Sequence, residues 1–176
     1  MHRAGFTLIE MLVTLAILAV ISAVLLLSTA SSGTEPRLRL EVERLQARLN
    51  LACERAELTG RDMGLHLGSA MYGFSQRRGD LLEMQTKPPL APYRLPKDMQ
   101  VVLPDVKLVP GLTEKPLMLC FSTGERTTLI VTVEAGARDP RYRLLIEASG
   151  VGRIQRRLPD NSEWRDWHAG KRNARA

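Results

Sequence analysis

The sequence is poor in the residues that build active sites. It has two cysteines and three histidines among 176 residues, and aromatic residues make up 5% of the chain. His2, His66 and His168 lie too far apart in sequence for metal-ligand spacing. No nucleophile elbow, dinucleotide fingerprint or calcium loop is present. We therefore expect no catalytic residue, no metal and no cofactor, and an enzyme on a membrane anchor is set aside for want of a site.

The two cysteines stand alone in their surroundings. Cys53 and Cys120 are separated by 67 positions, and neither belongs to a motif that binds a metal or exchanges electrons. A free cysteine is usually a small buried apolar residue, and we expect this for both. A disulfide between them is the alternative, because a domain outside the cytoplasm would meet an oxidising environment.

Charge is missing from a long stretch near the amino terminus. The 24 residues from Met11 to Thr34 carry no charged side chain. The only charged residue between Phe6 and Leu27 is Glu10. About 20 apolar residues cross a bilayer as a helix, so we expect a transmembrane helix over residues 6–34. Arg3 on the short side predicts a cytoplasmic amino terminus, with the rest of the chain across the membrane.

A cleaved secretory signal is the alternative for this segment, because Ser28 to Gly33 could supply the small residues of a cleavage site. Glu10 argues against that alternative. A charged side chain in a membrane helix costs roughly 2.5–3.5 kcal/mol at the centre and somewhat less near an end. A plain signal or anchor gains nothing from that cost, so Glu10 is a candidate functional residue that needs a partner of opposite charge.

The segment GFTLIE at residues 5–10 resembles the processing motif of type IV prepilins and pseudopilins. The resemblance implies that a prepilin peptidase cuts after Gly5, removes residues 1–5 as a leader, and methylates the new amine of Phe6. It also implies a role in assembly for Glu10, which falls at the fifth position of the mature chain. There the carboxylate would pair with the N-terminal amine of a neighbouring subunit.

A second helix signal follows the apolar run. We expect a periplasmic continuation of the helix over residues 35–60, with Thr34 as its cap and Gly60 as its stop. Arg37 with Glu41, and Arg39 with Glu43, should form pairs on its exposed side. The apolar residues that recur at spacings of four and three are Leu38, Val42, Leu45, Leu49, Ala52 and Ala56. This stripe should pack on the protein's own sheet; a coiled-coil partner is the alternative.

Short strands separated by turn residues dominate residues 61–158, which indicates antiparallel sheets. Seven of the ten prolines lie between Pro88 and Pro116, so that stretch should be rich in loops and hold only edge or irregular strands. Residues 159–176 should form a basic tail without regular structure. The expected strands are Met63–Leu67, Met71–Ser75, Leu81–Thr86, Gln100–Leu103, Leu117–Phe121, Thr127–Glu134, Tyr142–Ala148 and Val151–Gln155.

This region resembles the H-type minor pseudopilins of the type II secretion system. The resemblance lies in residues 51–65, 71–74, 119–133 and 142–152. It implies an α+β fold in which a long N-terminal transmembrane helix packs on a C-terminal domain of two antiparallel β-sheets. Leu27 stands where many major pilins carry a proline, which argues against a major subunit.

The resemblance also implies a function. The protein would be a structural subunit near the tip of a periplasmic pseudopilus that helps to export folded proteins across the outer membrane. Its partners would be other pseudopilins, the prepilin peptidase and the inner-membrane assembly platform. It would cross the bacterial inner membrane once, with its N-terminus in the cytoplasm and its C-terminal domain in the periplasm.

The excess of positive charge suggests an alternative. The net charge is +6, and residues 141–176 hold 9 basic and 4 acidic residues, so most of the excess lies at the carboxyl end. A minor pilin of a type IV pilus or a DNA-uptake machine could bind DNA there. Acidic residues interrupt the basic ones, so a solvated or protein-docking tail is favoured and nucleic acid is not expected as a partner. The candidate contacts are Arg153, Arg156, Arg157, Lys171 and Arg172.

Overall fold

The protein is described by a computed structural model that covers residues 8–30, 34–137, 139–150 and 152–167. The chain divides into two compact units, Met1–Pro36 and Arg37–Ala176. Helix α1, Leu8–Ala30, lies in the first unit, and Glu10 is the only charged residue in its sequence. Within the described residues, no helix is both long and apolar enough to cross a membrane.

Helix α2, Thr34–Thr59, begins and ends one residue earlier than the expected range of 35–60. It ends where Gly60 takes a left-handed conformation, with φ of 62°, and the Arg61 amide donates to the carbonyl of Ala56. Glycine adopts this conformation without the cost that a Cβ imposes, so it is favoured after a helix end. All six residues of the predicted apolar stripe are buried, which confirms that the stripe packs within this protein.

One of the two predicted ion pairs on α2 is wrong. Arg39 and Glu43 do pair, at 3.5 Å between Nε and Oε1. Arg37 instead pairs with Asp98, and Glu41 is only 8% exposed and pairs with Arg44. The reason is positional: Glu41 lies three residues after one stripe residue and four before another, so the helix turns it toward the core.

Ten strands follow within the described residues, and every pair is antiparallel. All eight predicted strands are present, with small shifts at their ends. Two further strands, β4 and β10, were not predicted, and both are very short. The strands are β1 Met63–Gly68, β2 Met71–Arg78, β3 Leu81–Met84, β4 Tyr93–Arg94, β5 Gln100–Val102, β6 Met118–Cys120, β7 Leu129–Glu134, β8 Arg141–Ile146, β9 Gly152–Arg157 and β10 Arg165–Trp167.

The strands form two sheets. The first sheet has the order β3-β2-β1-β6, with β4 beside β2, and the second has the order β10-β9-β8-β7-β5. Strand β1 is buried along its whole length, whereas β8 alternates between buried and partly exposed residues. Alternation means that one face of the second sheet packs on the core and the other faces outward. The proline-rich region contributes only the short strands β4 and β5, as expected.

The carboxyl end is more ordered than predicted. Residues 165–167 were expected in a tail without regular structure, but they form β10, the edge strand beside β9. Trp167 lies opposite Ile154 and meets the ring of Tyr142 edge to face, with centroids 6.1 Å apart. Partial burial of this indole against the core accounts for the ordering, since an aromatic side chain contributes a large apolar surface.

The expectation that the cysteines are free is also wrong. Cys53 and Cys120 form a disulfide, with their Cα atoms 5.0 Å apart. Cys53 lies on the buried face of α2, and Cys120 ends β6, opposite Met63 of β1. Helix α2 leads through a tight turn into β1, so β6, by pairing with β1, comes close to the end of the helix. The alternative kept open for the pair is therefore the correct one.

Candidate functional site

The first candidate site is the surface of α1. Its side chains are described from Leu8 to Ser22, and all of them are exposed. The large apolar ones lie on every side of the helix; Leu8 is 80% exposed and Leu12 is 59% exposed. Thr14 and Ser22 donate their hydroxyls to the carbonyls of Met11 and Leu18, at 2.9 and 2.8 Å. Side-chain hydroxyls satisfied within the helix, on an apolar surface, suit a helix that packs in an apolar environment.

Glu10 lies in the first turn of α1. The backbone N–H groups at a helix N-terminus carry partial positive charge, so a carboxylate is stabilised at this position. Gly5 and Phe6, the predicted cleavage and methylation positions, lie outside the described residues. The roles assigned to these three residues stay predictions.

The second candidate is a polar cluster that joins α2 to the proline-rich loop. Arg44 pairs with Glu41 at 2.6 Å, and both contact the hydroxyl of Tyr93. Burial by itself would lower the pKa of Arg44, but Glu41, Tyr93 and Tyr72 together outweigh it and the pKa is raised. Burial raises the pKa of Tyr93, and Glu41 adds to the increase. Glu41 Oε1 accepts from both Arg44 and Tyr93, whereas Glu41 Oε2 is buried and has no hydrogen-bond partner among the described residues. These contacts hold α2 against the loop, so the cluster is structural.

Arg48 extends this cluster into the core. Its Nε donates to the carbonyl of Pro89 at 2.6 Å, and its guanidinium also donates to the carbonyl of Ala91. The same group lies 5.1 Å from the ring centroid of Tyr72. Burial raises the pKa of Tyr72, and the charge of Arg48 opposes that rise. Arg48 therefore ties α2 to a loop that has few backbone bonds of its own.

A histidine and a serine form the closest approach to a catalytic pair. The Nδ1 of His66 lies 2.8 Å from the carbonyl of Thr113, and its Nε2 lies 2.8 Å from the hydroxyl of Ser75. His66 is 2% exposed and Ser75 is fully buried. A nucleophile that no substrate can reach is structural. Within the described ranges, no group of three or more His, Cys, Asp or Glu side chains could hold a metal ion.

The predicted C-terminal arginines are divided between the two faces of β9. Alternation along the strand places Arg156 on the face of buried Ile154, and Arg153 and Arg157 on the outward face. Arg153 pairs with Glu147. The described arginines therefore do not form one continuous basic patch. Lys171 and Arg172 lie outside the described residues, and a contact with DNA stays a prediction.

Sequence reasoning missed Arg143, which lies on this outward face. Arg143 on β8 and Trp164 before β10 lie beside Arg157, in contact with one another. A signal for Arg143 was present in the sequence. Residues 141–143 read Arg-Tyr-Arg, and burial of Tyr142 turns both arginines outward.

Comparisons with known proteins agree with this fold. Residues 1–26 match the family model of the prokaryotic N-terminal methylation motif. The chain is 27% identical over 179 residues to type II secretion system protein H of Aeromonas hydrophila, covering 92% of this chain and 97% of the relative. It is 31% identical over 147 residues to type II secretion system protein H of Pseudomonas aeruginosa, covering 83% of this chain and 76% of the relative.

Two solved structures share the architecture. The minor pseudopilin EpsH from the type 2 secretion system of Vibrio cholerae superposes with a TM-score of 0.57 at 19% identity, over 71% of this chain and 99% of that chain. The solution structure of Escherichia coli GspH gives a TM-score of 0.55 at 16% identity, over 72% of this chain and 92% of that chain. The α+β fold of a helix on two antiparallel sheets is therefore that of these proteins.

Proposed function

This chain belongs to the type II secretion system protein H family, and from that premise we propose that it is a minor pseudopilin, a structural subunit of the pseudopilus. The observation that carries the proposal is 31% identity over 83% of the chain to a protein H. That match is too long to rest on the N-terminal motif at residues 1–26 alone. The protein acts by assembling with other subunits, and none of these observations favours the DNA-uptake alternative.

The amino-terminal segment supplies processing and anchoring in this proposal. Residues 1–5 are a leader that the prepilin peptidase removes after Gly5, and Phe6 becomes the methylated N-terminus. Residues 6–34 then hold the chain in the inner membrane, with the N-terminus cytoplasmic. Support comes from the methylation motif, from the 24 uncharged residues after Glu10, and from the apolar surface of α1.

Assembly follows from the same segment. The apolar side chains of α1 pack against the helices of neighbouring pseudopilins once the subunit leaves the lipid. Glu10 pairs with the N-terminal amine of a neighbour, because two opposite charges in an apolar environment cost less together than either costs alone. The pairing sets the register of one subunit against the next.

The remaining chain forms the outer part of the subunit. Residues 35–60 continue the helix into the periplasm, residues 61–158 form the β-rich domain, and residues 159–176 form the basic end. A minor subunit occupies few positions, and we place it near the tip of the pseudopilus. The whole assembly, built on the inner-membrane platform, helps to move folded proteins across the outer membrane.

Replacing Glu10 with alanine tests the proposal in cells. Glu10→Ala should leave the protein in the membrane fraction but reduce secretion of an exported enzyme by at least about tenfold, because an unpaired amine in an apolar setting is costly. Glu54→Ala removes an exposed carboxylate from α2 and is the matched control, with normal secretion expected. Full secretion with Glu10→Ala would refute the assembly role.

The same membrane fractions test processing. Gly5→Val should leave the leader attached, because the peptidase requires a small residue at the cut, and the protein should run heavier on a gel. If that variant yields a processed protein of normal mature size, the assignment of the cleavage position is contradicted.

A further inference from the structure

The outward face of the second sheet carries two arginines that share one tryptophan. The Cζ atoms of Arg143 and Arg157 lie 4.3 and 4.8 Å from the ring centroid of Trp164. Arg143 is on β8 and Arg157 is on β9, the neighbouring strand, while Trp164 precedes the edge strand β10. We define these three residues as the arginine–tryptophan site. All three are partly exposed, so the site is open to a partner.

Within the described residues, no ion pair balances the charges of this site. On the same face, Arg141 pairs with Glu134 at 2.9 Å, and Arg153 pairs with Glu147. In contrast, Arg143 donates to the neutral amide oxygen of Gln155 at 2.8 Å. In the part of the chain that the structure describes, neither Arg143 nor Arg157 takes part in an ion pair.

Residues outside the described ranges cannot supply the missing carboxylate side chains. All 19 Asp and Glu residues of the chain lie within the described ranges. Two like charges held beside one ring repel each other. Burial lowers the pKa of Arg143, and the charge of Arg157 lowers it further. An anion bound between the two guanidiniums would relieve this repulsion.

We propose that the arginine–tryptophan site docks a carboxylate-rich segment of a partner protein. A guanidinium offers a planar pair of donors that matches a carboxylate, and two of them can hold one or two acidic side chains. Arginine and tryptophan are also the residue types most enriched at the energetic centres of protein interfaces. The exposed part of the indole gives the partner an apolar contact beside the charged one.

The surroundings favour a short acidic segment over a nucleic acid. Glu134 and Glu147 lie on the same face, each held by its own arginine. Asp139 and Asp160 line the cavity of about 360 Å³ beside Arg157. A phosphate backbone crossing this face would meet these acidic residues on both sides, whereas a carboxylate needs only the two unpaired guanidiniums.

Peptide binding to the full-length protein in a non-ionic detergent tests the proposal. The probe is a fluorescein-labelled hexaglutamate peptide, and its fluorescence anisotropy reports the dissociation constant at low salt. The double variant Arg143→Gln with Arg157→Gln should bind at least about tenfold more weakly, because it loses charge-assisted bonds. A thermal unfolding curve of each variant verifies that the fold is retained.

A matched control separates the site from general charge. Arg141→Gln with Arg153→Gln removes the same formal charge from two arginines that already have carboxylate partners. Its binding should change by less than about threefold. If both double variants lose the same peptide affinity, the peptide is attracted by net charge alone and the proposal is overturned. Wild-type affinity in the double variant of Arg143 and Arg157 would also overturn it.

Other anions define the class of partner. Inorganic phosphate, a single-stranded oligonucleotide and vesicles of anionic lipid are added as competitors of the peptide. If these competitors displace the labelled peptide only weakly at the same concentration of negative charge, the result supports a carboxylate partner. If a competitor displaces the labelled peptide at a lower concentration than unlabelled hexaglutamate does, the carboxylate proposal is overturned in favour of a phosphate-bearing ligand. Binding is measured without secretion, so failure here leaves the pseudopilin proposal untouched.

Discussion

Loss of the disulfide between Cys53 and Cys120 should lower the free energy of unfolding of the Arg37–Ala176 unit by about 4 kcal/mol. The bond closes a segment with a sequence separation of 67 residues, from the end of α2 to the end of β6. In the chain-entropy model, a loop of about this length restricts the unfolded state by about 4 kcal/mol. Domains of this size are stable by only about 5–15 kcal/mol, so the loss is a large fraction of the total.

Urea unfolding of the Arg37–Ala176 unit measures this loss, because the unit contains every residue of the core. The variants are Cys53→Ala, Cys120→Ala and the double variant. Either single change breaks the bond, so the double variant should be only slightly less stable than each single one. The dependence on urea should also steepen, since an unfolded chain without the crosslink exposes more surface.

A reductant supplies the internal control. It should destabilise the wild-type unit by a similar amount and leave the double variant unchanged. A loss below about 1 kcal/mol, or two single losses that simply add, would refute the reasoning from loop closure.

Two further predictions follow from packing and from charge. Gly68→Ala should lower the free energy of unfolding by about 1–3 kcal/mol, because a Cβ there would clash with the carbonyl oxygen of Gly111. Gly111→Ala, whose Cβ meets nothing within 4 Å, should change thermal stability little, and equal effects would contradict the clash. The raised pKa of buried Tyr72 keeps its hydroxyl protonated in the folded state above about pH 10, where the tyrosines of the unfolded chain ionise. The free energy of unfolding therefore falls as pH rises through this range. In urea titrations at several pH values, the free energy of unfolding of Tyr72→Phe should fall less steeply with pH than that of the wild type. Parallel curves for the two proteins would contradict this role of Tyr72.

Local periodicity explains why α2 and most strands were predictable. A helix places residues three and four apart on one face, so the stripe from Leu38 to Ala56 could be found without knowing what it packs against. Likewise the alternation or apolar character of β7 and β8 is a property of a few consecutive residues. The predicted strand ends differ by up to three residues because pairing with neighbours decides where a strand stops.

Short elements escaped prediction because distant residues create them. Strand β10 has three residues and exists because Trp167 reaches the core beside Tyr142. Strand β4 has two residues and exists because it lies against β2. Glu41 was placed on the exposed side of α2, although its spacing from Leu38 and Leu45 turns it toward the core; only its contact with Tyr93 depends on the loop that folds onto the helix.

The sequence by itself determined the class of the protein. The GFTLIE motif, the uncharged run and the alternation of later segments depend on residues near each other in the chain, and they predicted the family, α2 and most strands. The tertiary structure alone decided which distant groups meet. It joined Cys53 to Cys120 across 67 positions, and among the described residues it gave carboxylate partners to Arg141 and Arg153 but not to Arg143 and Arg157. Such pairings depend on strand register and helix packing, which act through space and leave no pattern along the chain.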